Sequence, residues 1–182
     1  GVKGVLGKAG PCLYRDAAAN KLPIVGLIEV DSADFDFMAT TGLLADVILH
    51  EMGHVLGIGT YWELPAMGHS HLDVPCHYPM PGPVRFTGAQ ANDKHVTAGG
   101  APGQLLVETG RGPGTACGHW HEDAYQAELM TGLITGPDNP LSAITIGSLA
   151  DLGYQVEYAL ADPYNVPPPG ALRAQSDGPR IN

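Results

Sequence analysis

Residues 50–59 read HEMGHVLGIG, and no other stretch restricts the fold of this chain as tightly. On an α-helix, positions i and i+4 lie on one face, so His50 and His54 point the same way and can grip a single ion. Glu51 stands beside them, near enough to exchange a proton with a reacting water without being a ligand. Two imidazoles and a carboxylate are costly to bury without partners, so a chance pattern on a core helix is disfavoured. Imidazole donors suit zinc. The surrounding segment, TTGLLADVILHEMGHVLGIG, predicts a buried helix. Thr40 or Thr41 caps it, Asp46 lies near its start, and Leu44, Ile48, Met52, Val55 and Leu56 form its apolar stripe. Gly57 and Gly59 end it.

A catalytic zinc takes three protein ligands and keeps one position open. One known arrangement, HExxHxxGxxH, would place the third at residue 60, which is a threonine. Another uses a glutamate followed four residues later by aspartate; none of Glu63, Glu108, Glu122, Glu128 and Glu157 has that pattern. The remaining histidines are His69, His71, His77, His95, His119 and His121. In an extended segment His119 and His121 face one side, and spacing alone does not separate them. His69 and His71, in GHSH, offer a weak second site. Cys12, upstream of the helix, allows a deformylase-like alternative, although the glycine and glutamine motifs of such enzymes are absent. A non-catalytic zinc-binding module is the other alternative, and the presence of Glu51 speaks for an enzyme.

The rest of the 182-residue chain reads as one α+β domain. Twenty-five glycines and 16 prolines predict many turns. The net charge of −10, with nine lysines and arginines, leaves no basic patch for nucleic acid or an anionic membrane. No apolar run is long enough for a membrane span. Residues 1–22 read as a glycine-rich loop and 22–32 as a strand. Residues 58–103 read as a long loop-rich excursion, 103–108 as a short strand, and 110–118 as a glycine-rich loop. Residues 139–154 predict a second helix capped by Ser142, with Ile144, Leu149 and Leu152 inward and Gly153 at its end. The residues after Tyr164 predict an extended or disordered tail.

The segment GHWHEDAYQAELMTG (118–132) resembles the second signature of leishmanolysin-type metallopeptidases, a metzincin family. His50, Glu51, His54 and Gly57, then His119 with Trp120, then Glu128-Leu129-Met130, follow that family's order. VILHEMGHVLGIGTYW and PLSAITIGSLADLGY are also similar to bacterial members. The resemblance implies His119 as third ligand, Zn2+ as cofactor, Met130 in a Met-turn below the metal, and residues 58–118 as an insertion. It implies a metzincin-like catalytic domain over 1–164 and a zinc-dependent endopeptidase acting on proteins or peptides, with Glu51 as general base. It also implies an extracellular or cell-surface setting; no motif addresses oligomeric state. In zinc peptidases of this kind most of a multi-stranded sheet precedes the active-site helix. Only one convincing strand precedes it here, so the sheet is expected to be incomplete, with further strands before Gly1. Cys76 and Cys117, both within the insertion and near histidines it must position, are expected to pair if the protein is secreted. Cys12 remains an alternative partner for either.

Overall fold

The computed structural model describes residues 4–16, 21–134 and 136–171. Its elements are helices mixed with three small antiparallel sheets, each of two strands, in agreement with an α+β architecture. Residues 172–182, the end of the predicted tail, lie outside the described residues.

The first sheet pairs β1 (Gly7–Tyr14) with β2 (Pro23–Val30), from Gly7 opposite Val30 to Tyr14 opposite Pro23. The prediction of a loop over 1–22 is corrected here. GKAGPCLY has poor strand propensity, but β2 is a good partner; Pro11 keeps its place opposite Gly26, and the register irregularity just after it passes over Cys12.

The predicted single helix is two. Helix α1 (Phe35–Thr41) stops where Gly42 adopts φ 81°, and α2 (Leu44–Leu56) starts after Leu43. Thr40 and Thr41 do not cap α2. Their hydroxyls donate back to the carbonyls of Asp36 (2.7 Å) and Phe37 (2.6 Å), within α1. Asp46, in the first turn of α2, accepts from Asn139 Nδ2 at 2.8 Å and ties the helix start to the chain before the last helix.

The orientation of α2 also differs from the predicted one. Its buried residues are Val47, His50, Glu51, Gly53 and His54, a stripe at helical spacing, whereas Ile48, Met52 and Leu56 of the predicted inward stripe are exposed. Hydrophobicity summed around the helix cannot find this face, because the polar groups are the ones turned inward. Among the described residues, no helix is long and apolar enough to cross a membrane.

The segment predicted as a loop-rich excursion supplies a large share of the main core cluster. It contains β3 (Glu63–Leu64) paired with β4 (His69–Ser70), β5 (Val84–Arg85) and α3 (Ala89–Thr97), and β5 pairs with β6 (Leu106–Val107), which falls within the short strand predicted over 103–108. Ile58, Trp62, Val84, Phe86, Leu105 and Val107 are buried in one cluster with Trp120, Leu129 and Met130. Trp62 and Trp120 lie 4.3 Å apart between ring centroids, with Phe86 edge-on to Trp120. Short strands and glycine turns hide this core from a periodicity argument, since each contributes only one or two inward side chains.

Helix α4 (Glu122–Tyr125) is a single turn, and α5 (Ala143–Leu152) packs on α3. As predicted, Ser142 caps α5, accepting from Thr145 N–H, and Gly153 ends it. Asp151 of α5 in turn caps α3 by accepting the N–H groups of Gln90 and Ala91, each at 2.9 Å. Beyond α5, Val166 N–H donates to Ala98 O and holds the following chain extended against the domain.

A disulfide joins Cys76 to Cys117, and Cys12 is free and exposed. It closes a sequence separation of 41 residues and anchors the excursion to the loop before His119. Replacing both cysteines by alanine is expected to lower the unfolding free energy by ~2–4 kcal/mol. Denaturant titration of the two proteins checks this; equal midpoints would show that the crosslink constrains nothing.

Candidate metal centre

His50 and His54 leave α2 on its inner face, and His119 approaches from the chain that runs beside β6. Its carbonyl accepts Glu108 N–H at 2.8 Å, and the next residue, Trp120, bridges Val107 on one side and Thr131 on the other. Two glycines allow the meeting. Gly57 ends α2 at φ 111°, a left-handed conformation that turns the chain back over the helix end. Gly59 then passes so close to Gly118 that a Cβ there would lie 2.0 Å from the Gly118 carbonyl oxygen.

The three Nε2 atoms are 2.9 Å (His50–His54), 3.1 Å (His50–His119) and 3.1 Å (His54–His119) apart. Each ring's other nitrogen faces a backbone carbonyl: Leu129 O at 2.6 Å for His50, Ile58 O at 2.9 Å for His54, and Thr115 O at 2.8 Å for His119. A carbonyl only accepts, so each Nδ1 must carry the proton and each neutral ring must present a bare lone pair at Nε2. Burial keeps the rings neutral. It holds His50 well below the ordinary histidine range, lowers His54, and brings His119 down to about 3, helped by the neighbouring His54. Three lone pairs aimed at one point cannot hydrogen-bond to each other. They repel unless a cation lies between them, and the trio is the set of described residues able to hold a metal.

Glu51 is fully buried, and no described protein donor meets either carboxylate oxygen. Desolvation pushes its pKa up to about 8. A positive ion beside it would act in the opposite direction. Room for the carboxylate comes from Gly7 of β1, where a Cβ would lie 2.5 Å from Oε1. Met130 sits below α2, its sulfur 2.8 Å from the position a Cβ on Gly53 would take. A groove of ≈ 460 Å³ opens beside His54, between Lys8 and Ala9 of β1 and Thr60, Ala116 and Cys117.

The other sequence candidates fall elsewhere. His121 precedes α4 and is not in the trio, and Cys12 lies exposed on β1. His69 and His71 pack against Tyr61 and Phe86 respectively and join no metal-holding group among the described residues. His95 is buried against Tyr125, and Cys76, beside His77, is drawn into the disulfide. Sequence reasoning missed Gly7, because its segment reads as a loop. It also missed the three carbonyl acceptors, which have no side-chain signature.

The sequence model of the leishmanolysin peptidase family matches residues 3–165. The chain belongs to this family. Leishmanolysins are zinc-dependent metallopeptidases, and the match spans both the helix motif and the His119–Met130 segment, as the resemblance implied. No curated protein matches the chain.

Metal retention should resist acid. Protons compete for the three Nε2 lone pairs only below the pKa values of these histidines, and these are lowered from the ordinary 6.5. A metal held by these three histidines is therefore expected to be released only below the pH range in which an ordinary histidine, of pKa 6.5, takes up its proton. Metal analysis after stepwise dialysis checks this; release at or above pH 6.5 would contradict it.

Proposed function

We propose that the protein is a zinc-dependent endopeptidase with a metzincin-type centre, in which His50, His54 and His119 hold the metal and Glu51 is the general base. The observation that carries this reading is the placement of all three Nδ1 atoms against backbone carbonyls, which leaves three convergent Nε2 atoms beside a carboxylate that has no partner among the described residues. A bound zinc ion supplies a Lewis acid that acidifies water and polarises a peptide carbonyl. Glu51 accepts a proton from the attacking water and delivers it to the departing amine. Its burial keeps the proton from bulk solvent, and Gly7 keeps the carboxylate from being displaced by the strand above it. Leu129, Ile58 and Thr115 hold the three rings in one tautomer and one orientation. Met130, in the position of the family's Met-turn, forms an apolar floor under Gly53.

The groove beside His54 is open along β1, which suits an extended peptide and supports protein or peptide substrates. The disulfide between Cys76 and Cys117 supports the extracellular or cell-surface setting usual for the family, since such bonds persist in oxidising compartments.

Glu51→Gln keeps the size of the side chain and removes its ability to take a proton. It is expected to retain zinc and the native melting behaviour while losing at least ~10²–10⁴-fold in turnover. The assay is hydrolysis of an unfolded protein, with and without chelator. Wild-type turnover in the variant would refute the assigned role, and chelator-insensitive hydrolysis would refute the metal.

A further inference from the structure

Glu128 is buried, 1% exposed, at the junction between the two halves of the site. Its Oε2 accepts Met130 N–H at 2.7 Å. Its Oε1 accepts the Ser142 hydroxyl at 2.6 Å, the Ser142 N–H at 3.3 Å and the Thr145 hydroxyl. Thr145 Oγ1 accepts the indole N–H of Trp120 at 2.8 Å. Between Glu128 and Met130 stands Leu129, whose carbonyl accepts the hydrogen bond from His50 Nδ1–H, and Trp120 follows His119 directly. Trp120 N–H also donates to Met130 O at 3.0 Å. One carboxylate therefore reaches the acceptor of one histidine and the flank of another.

We propose that Glu128 is a positioning residue of the metal centre: its carboxylate clamps the 128–130 turn so that Leu129 O is aimed at His50, and through Thr145 and Trp120 it anchors the chain that carries His119. The proposal rests on the reading of His50, His54 and His119 as metal ligands. Capping α5 does not account for the contacts, because Met130 N–H belongs to the turn and not to the helix, and Ser142 already serves as cap. Burial raises the carboxyl pKa, and the donors around it act against that shift. All four contacts are donated to Glu128, so the site is built for a group that only accepts.

That chemistry makes glutamine a selective probe. With the amide oxygen at Oε1, three donors stay satisfied and the NH2 meets Met130 N–H, so the turn is released while the α5 contacts persist. Outer partners of metal ligands typically change affinity by about 10–100-fold. Zinc-free protein is titrated with Zn2+ in competition with a chromophoric chelator, and thermal melting of the zinc-free form is recorded in parallel. Glu128→Gln is expected to bind Zn2+ about 10–100-fold more weakly, and Thr145→Val, which cuts the link to Trp120, is expected to weaken it in the same direction. Asp151→Ala, which removes the cap of α3, is expected to lower the melting temperature and leave the affinity at the wild-type value. A folded Glu128→Gln protein with wild-type affinity overturns the proposal. If that variant does not fold, wild-type affinity in Thr145→Val overturns it. A wild-type protein that binds no Zn2+ overturns the metal reading itself, and the proposal with it.

Discussion

The structure depends on where three protons sit. Each histidine of the trio donates a hydrogen bond from Nδ1–H to a carbonyl, and the Nε2 lone pairs are left facing one another at 2.9–3.1 Å. In a buried site this arrangement is unfavourable without a cation and favourable with one, so the fold stores a binding site as an unsatisfied one. The carbonyls come from three separate places: the turn after α4, the chain just past α2, and the glycine-rich loop before His119. Much of the architecture keeps those three backbone segments in register.

That requirement accounts for features that are otherwise odd. Helix α2 turns its histidines and glutamate inward and leaves Ile48, Met52 and Leu56 exposed, the reverse of an ordinary amphipathic helix. Gly57 and Gly59 follow the second histidine because the chain must reverse and then touch the backbone at Gly118. The Trp62–Phe86–Trp120 cluster, built largely from the excursion, supports the residue next to His119. The disulfide pins the loop that presents Thr115 O.

Some of this was legible in the sequence for plain physical reasons. The i, i+4 pair fixes a shared helix face whatever surrounds it, and α5 carries its own cap, apolar stripe and terminal glycine. The strand at 23–30 is rich in β-branched residues. His119 was separable from His121 only through the resemblance to leishmanolysins, because both alternate to the same side of an extended chain. In the structure His119 is the one grouped with His50 and His54, and at His121 the backbone turns into α4. The inner face of α2 is not legible from apolarity, because His50, Glu51 and His54 are among the groups it buries. Strand β1 was missed because its glycines and proline argue against a strand, and pairing with β2 outweighs them. Glu128 stood within a recognised motif, but its partners Ser142 and Thr145 lie 14 and 17 residues away, beyond any local pattern.

The proposed chemistry turns on the convergence of the three imidazoles of His50, His54 and His119 on one metal ion. X-ray absorption at the zinc K-edge of the zinc-loaded protein tests it directly. The expected spectrum shows imidazole scattering from three histidines with Zn–N at ~2.0–2.1 Å and no sulfur shell. Loss of one imidazole, or of the metal, is expected in His119→Ala, and an unchanged spectrum in His121→Ala. A sulfur shell at ~2.3 Å, or three imidazoles retained in His119→Ala, would contradict the convergence.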